Sequence, residues 1–310
     1  MTPDTFNPGT GQRVCPLCGA DEPTRLFDKG CLRVVRCGRC GMSYANPVAP
    51  ELASGQFYDR LAAGFYLSPD KLEGDYAPVR FARERKLFRA FCPAGAVLDV
   101  GCSTGGFLFQ LRSRWPADYR VMGMDVAGAA LDYAEGRGLA VARGSFLEHD
   151  FGAARFDAVT FWAVLEHLVE PRKFLHRAAG LLRPGGYCFV LVPNLNSLAV
   201  RLLGARYRYV MPDHVNYFTA ATLRAFGDTE PALERVFLGA THFNPVVIAQ
   251  DLRRADERVP DAERARLLRR TTALKQQPLL RPLRWAYAGV ERGLGWLGLA
   301  DNLVAVFRRR

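Results

Sequence analysis

At 310 residues, 49% apolar and 24% charged, the chain can hold one main domain with a small appendage and is too rich in core residues to stay disordered. No run of about 18 uncharged apolar residues is present, which argues against a membrane-spanning helix, and no N-terminal basic–apolar–small pattern reads as a secretory signal. The net charge of +11 is uneven: residues 251–310 hold 14 Lys/Arg against 7 acids, whereas residues 96–250 hold 15 against 14.

Eight cysteines without a secretory signal point to the cytoplasm, and to reduced thiols or metal rather than disulfides. Four of them stand first in the chain as Cys15-Pro-Leu-Cys18 and Cys37-Gly-Arg-Cys40, a C-x2-C-x18-C-x2-C pattern. Two matched knuckles at this spacing are the signature of a four-thiolate zinc ribbon. Gly19 and Gly41 after each pair free the turn so that amides can face the sulfurs. Four thiolates fill a tetrahedral zinc and leave no open position, so the site is structural. Cys31 reads as a bystander, and Cys92, Cys102 and Cys188 as small apolar packing residues. Asn46-Pro47 to Pro50 is the linker out of the ribbon. Beyond it come the aromatic pairs Phe57-Tyr58 and Phe65-Tyr66, then a charged amphipathic helix over 81–91.

The run Val97-Leu-Asp99-Val-Gly101-Cys-Ser103-Thr-Gly105-Gly-Phe-Leu108 is a buried strand ending in an acid, a small-residue turn and the start of a helix. Such a turn lets a ligand lie against bare backbone amides at a helix N-terminus. Val121-Met-Gly-Met-Asp125 is a second strand ending in an acid, 24 residues past Gly101. That is about the distance at which a Rossmann-like βαβ unit presents a carboxylate to a ribose diol. Residues 139–146 form a third segment, 156–162 a fourth strand and 187–192 a fifth. Thr219 N-caps a helix, and 233–239 and 302–307 read as the sixth and seventh strands. A helical insertion of about 245–300 separates these last two. Within it Leu283, Tyr287, Val290, Leu294 and Leu297 recur at helical spacing among Arg281, Arg284 and Arg292, with Trp285 and Trp296. The stripe packs on its own domain or on a second subunit as a homodimer, or it lies peripherally on a membrane surface.

In order and spacing, "LDVGCSTGGFL", "GMDVAG", "FDAVTFWAVLEHL", "LLRPGG" and "VPN" resemble a class I S-adenosylmethionine-dependent methyltransferase, with Ser103 in place of the family's middle glycine. The resemblance implies an α/β fold: a Rossmann-like seven-stranded sheet, mostly parallel with an antiparallel last strand. To this the chain adds the N-terminal zinc ribbon (1–48), a helical lead-in (49–95) and the insertion within the methyltransferase domain (96–310). The resemblance further implies that S-adenosylmethionine is held by Asp99, Gly101, Gly105, Asp125 and Val126, with Ser145, Phe146 and Trp162 around it. By the same likeness the lead-in folds over the donor, bringing Tyr58 and Tyr66 near it or near the acceptor.

"LEHL" places His167 after the fourth strand, open to the acceptor. "PDHVNYFT" resembles the EH-x-x-YF-S/T stretch of methyltransferases from sugar and polysaccharide pathways, some of which carry an N-terminal zinc module. That likeness implies Asp213 and His214 as an acid–histidine base pair. The expected enzyme is a methyltransferase acting on a small metabolite: a nucleotide-linked sugar, a glycan intermediate or a secondary-metabolite precursor, by O- or C-methylation. A zinc-ribbon RNA methyltransferase is one alternative, but the nearly neutral core argues against nucleic acid. A non-enzymatic adaptor retaining the fold is the other, and Asp99, Gly101, Gly105 and Asp125 argue against it.

Overall fold

The computed structural model describes residues 11–53, 57–58, 62–253, 259–277 and 281–310. Strands β1 (Pro23–Lys29), β2 (Leu32–Cys37) and β3 (Ser43–Ala45) form an antiparallel meander carrying the four cysteines at one end. The main sheet follows with β4 (Gly95–Val100), β5 (Tyr119–Asp125), β6 (Ala140–Arg143), β7 (Phe156–Trp162) and β8 (Leu182–Pro193). After the two-residue β9 (Asn216–Tyr217) it is completed by β10 (Leu233–Thr241) and β11 (Asn302–Arg309).

Its seven strands lie in the order β10-β11-β8-β7-β4-β5-β6. β4 to β8 pair in parallel, and β11 runs antiparallel to both β8 and β10. The expected sheet, with an antiparallel last strand inserted beside the sixth, is therefore present. Because β4 and β5 lead outward to β6 before the chain returns to β7, the switch in strand order falls between β4 and β7. Ligands of open α/β sheets bind at the carboxyl ends of strands flanking such a switch.

Apolar residues run almost unbroken along β4 because both faces are covered. Val97 packs with Phe88, Phe107, Leu108 and Leu111 on one face, while Leu98 and Val100 join Phe161, Leu175 and Val190 on the other. The predicted lead-in helix spans Ala82–Phe91 and anchors through the fully buried Phe88, 4.8 Å from Phe189 between ring centroids. Ahead of it, the Pro69–Tyr76 helix lies over the start of the Gly106–Arg114 helix; a Cβ on Gly106 would stand 3.1 Å from the Asp75 carbonyl.

The insertion forms the helices Pro245–Leu252, Asp261–Gln276 and Arg281–Trp296. Its middle helix seats Leu268 on Gly74 and pairs Arg269 with Asp70 at 3.0 Å. Its last helix packs Gly295 against the Ala240 carbonyl of β10. Of the expected apolar stripe, Tyr287 and Leu294 are half-buried whereas Val290 and Leu297 are exposed; the side chains of Arg281, Leu283 and Arg284 lie outside the described ones. No helix among the described residues is long and apolar enough to cross a membrane.

One pairing was not foreseen from the sequence. β9 adds to the edge of β3 in the register Ser43↔Tyr217 and Tyr44↔Asn216, so the cysteine module's sheet has four strands, the last supplied by the chain that follows β8.

Candidate active site

The turn after β4 takes left-handed backbone at Gly101 (φ 73°), Ser103 (φ 50°) and Gly105 (φ 78°). A Cβ on Gly101 would meet Val164 Cγ2 at 2.6 Å, and one on Gly105 would meet Leu139 Cδ1 at 2.3 Å. Both glycines are thus required by conformation and by space. Ser103 occupies the left-handed position without that freedom, which costs about 1 kcal/mol. Ser103→Gly should therefore raise stability by up to about 1 kcal/mol, read as a higher midpoint in thermal or urea unfolding.

Asp125, at the end of β5, holds this turn in place. Its Oδ2 accepts the Ser103 N–H at 2.8 Å and its Oδ1 accepts the Ala127 N–H at 2.9 Å. A carboxylate can also accept from the two hydroxyls of a ribose. Burial raises its pKa against these backbone bonds. Asp99 is fully interior and receives the Thr160 hydroxyl at 2.6 Å across the β4–β7 register; burial pushes its carboxyl up to about 7. Val126 is exposed beside Asp125. Tyr66 packs on Ala127 and Ala130, which brings the lead-in against the segment that follows Asp125. The Tyr76 hydroxyl donates to the Thr104 carbonyl and clamps it over the turn.

Trp162, at the end of β7, meets Phe107 edge-on at 5.2 Å. Its Nε1 and the Ser103 hydroxyl are buried without a hydrogen-bond partner among the described residues. Orphaned polar atoms beside bare backbone are what a bound S-adenosylmethionine would satisfy, so these residues fit the donor. Ser145 stands at the exit of β6, but the Phe146 ring is stacked on Phe174 and edged by Phe151 and Phe161 in the core. Its hydrophobicity won over ligand contact, and only its backbone is placed near Ser145.

Past Trp162 the chain turns through Ala163 (φ 58°) into a short 3-10 helix, Leu165–His167. Three segments meet there. His167 Nδ1 donates to the Asp213 carbonyl at 2.8 Å and lies 3.8 Å from its carboxylate; its ring is edge-on to His214 at 4.7 Å and to Tyr58 at 5.4 Å. His167 is thus fixed by the Asp213 main-chain carbonyl, with the carboxylate 3.8 Å away, while the sequence neighbour His214 stacks on Tyr209. Donation from Nδ1 leaves Nε2 of His167 as a free acceptor.

Burial lowers the pKa of His167 and, more strongly, of His214, so both imidazoles are neutral at pH 7. Glu166 is buried and its carboxyl is pushed up to about 8, with Asp213 adding to the rise. Glu166 Oε2 and His214 Nδ1 have no hydrogen-bond partner among the described residues. Ligand atoms of Glu166, His167 and His214 lie within 4.8 Å of one another, close enough to face one small ligand together.

The cysteine module abuts this cluster. All four Sγ atoms fall within 4.8 Å of one another, with Cys15–Cys40 at 3.5 Å and Cys18–Cys37 at 3.6 Å. Thiolates on a tetrahedral zinc stand about 3.8 Å apart, so Cys15, Cys18, Cys37 and Cys40 fit that ion. Each knuckle closes on a left-handed glycine: Gly19 (φ 73°) donates to the Cys15 carbonyl at 2.9 Å and Gly41 (φ 75°) to that of Cys37 at 3.0 Å.

Two residues before the first cysteine, Arg13 reaches out of the module. Its guanidinium donates to the carbonyls of Ala45, Val169 and Val215 and to Asn216 Oδ1. Asn216 Nδ2 in turn donates to the carbonyls of Leu165 and Leu168, both at 2.7 Å. Arg13 and Asn216 were not flagged by the sequence. The only signal was an arginine beside a knuckle and an asparagine inside the "DHVNYF" segment.

The methyltransferase-domain family matches residues 75–227. The ubiquinone biosynthesis O-methyltransferase of Caulobacter vibrioides is 32% identical over 205 residues, covering 56% of this chain and 79% of that protein. The enzyme of the same name from Serratia proteamaculans is 29% identical over 194 residues, covering 56% and 79%. A Haloferax volcanii methyltransferase, solved in complex with the Trm112 methyltransferase activator, shares the fold at 19% identity (TM-score 0.52; 81% of this chain, 97% of that one). With the sheet order, the left-handed glycine turn and the Asp125 carboxylate, these likenesses show that the chain belongs to the class I S-adenosylmethionine-dependent methyltransferases.

Proposed function

We propose that this methyltransferase acts on a hydroxyl of a small metabolite, with His167, His214 and Asp213 handling the acceptor. The observation that carries the reading is the pair of neutral, buried imidazoles, one backed by Asp213, set beyond Trp162 at the carboxyl end of β7. Bound at Gly101–Gly105 and Asp125, S-adenosylmethionine supplies a methyl already activated on a sulfonium. A hydroxyl is a poor nucleophile at neutral pH and needs a base. His167, fixed in the Nδ1–H form, offers Nε2 to take the proton as the oxygen–methyl bond forms and the methyl–sulfur bond breaks toward sulfur. The neutral Glu166 adds no charge of its own beside the histidines, and Tyr58 lies edge-on against His167.

A nucleotide-linked sugar is the first acceptor to try, on the strength of the "DHVNYF" segment joined to a zinc module. The relatives' role in ubiquinone biosynthesis makes a ubiquinone precursor the second. Calorimetric titration with S-adenosylmethionine should give micromolar binding, weakened at least tenfold (about 1.4 kcal/mol) in Asp125→Ala, which loses the carboxylate and loosens Ser103. Acceptor turnover in a panel of both classes then decides between them. Donor binding with no turnover of any hydroxyl would refute the acceptor reading alone.

A further inference from the structure

Ten large apolar residues are exposed among the described residues, and seven of them fall between Val236 and Leu297. Trp285 and Trp296 are 82% and 84% exposed, and Leu297 is 72%. Eleven helical positions separate the two tryptophans, so they lie within about 20° of the same face and roughly 16 Å apart along the axis. Arg292 falls beside them and is exposed. The helix's one acid, Glu291, is turned inward and paired with Arg83. The outward face of Arg281–Trp296 therefore combines two indoles with positive charge and presents no carboxylate.

We propose that this helix docks the enzyme on an anionic lipid surface, lying flat with both indoles at headgroup depth. Indoles favour that layer because the ring is apolar and its N–H finds water or phosphate. Arg292 beside them gains from the negative surface potential. A second copy of this chain is the poorer occupant: a two-fold contact through this face would bring both Arg292 side chains into one apolar interface between bodies of net charge +11 each.

The test is sedimentation with vesicles of phosphatidylcholine alone and with phosphatidylglycerol added, using full-length protein, Trp285→Ser/Trp296→Ser and Arg292→Glu. Binding should be confined to the anionic vesicles and fall on adding salt. The double variant should partition about tenfold less, and Arg292→Glu severalfold less. An unchanged thermal midpoint and donor affinity would show that both variants are folded. Equal partition of the double variant and the parent would overturn the proposal, as would no binding of the folded parent to anionic vesicles. A concentration-dependent dimer abolished by the tryptophan substitutions would also overturn it, in favour of self-association.

Discussion

Stripping the metal from the Cys15/Cys18/Cys37/Cys40 cluster should lower methyl transfer by about 100-fold while donor affinity changes by less than about threefold. The asymmetry follows from what the module touches. Its β3 edge pairs with β9, and Arg13 grips Val169, Val215 and Asn216, the residues flanking His167 and His214. The donor turn is held instead by Asp125 and the lead-in helices. A ribbon this small draws much of its folding free energy from the ion, so its loss frees the segments carrying the histidines. Chelation followed by calorimetry and single-turnover assay checks this directly. Limited proteolysis should show new cleavage near 213–216 in the stripped protein.

Arg13→Met separates the ion from the coupling. The knuckles stay intact and zinc should be retained, but the Ala45 and Val169 carbonyls and Asn216 Oδ1 lose the Arg13 donor, while the Val215 carbonyl keeps the Ala45 N–H at 2.9 Å. Each acceptor left buried and unpaired costs about 1–3 kcal/mol. A fall in turnover with full zinc content would assign the effect to the clamp. Unchanged turnover in both the stripped protein and Arg13→Met would mean that the module serves another purpose.

The second large effect concerns the histidines. His167→Ala should reduce turnover by about 100-fold or more with donor affinity preserved, and His214→Ala by a similar order, because proton transfer from a hydroxyl acceptor contributes that much. The pH profile carries a further signature. Burial lowers both histidine pKa values, so the base loses its proton-accepting form only below the ordinary value of 6.5. Turnover should be level at pH 7 and fall on acidification past that point. Glu166, pushed up to about 8, remains neutral at pH 7 and ionises above. A second inflection near pH 8 is therefore expected, and Glu166→Gln, which fixes the neutral form, should remove it. Turnover rates measured from pH 5 to 9 on the parent and the three variants settle the point.

What the sequence announced were the features written in neighbouring residues. The β4 turn, the acids closing β4 and β5 and the two knuckles each need only a short window, and strand burial on both faces leaves an unbroken apolar run. Contacts between distant segments were not legible. Asp213 and His167 are 46 positions apart, and Arg13 and Asn216 are 203 apart, with no local pattern tying either pair. Adjacency made Asp213 the natural partner of His214, but its main-chain carbonyl holds His167 and its carboxylate lies 3.8 Å from the same ring. Phe146 failed for a different reason. Position along the chain suggested a ligand contact, and three neighbouring phenylalanines claimed the ring for the core.

The strand supplied by Asn216–Tyr217 also sets an order of events during synthesis. The knuckles and β1–β3 leave the ribosome first, while the strand that closes their sheet is made about 170 residues later. At roughly 5–20 residues per second, that is an interval of about 10–35 s in which the β3 edge presents unpaired backbone groups. Such an edge is a template for pairing with another nascent chain. The same edge would stay open in any fragment ending before residue 216, so an N-terminal piece made alone should associate edge to edge rather than persist as a compact unit.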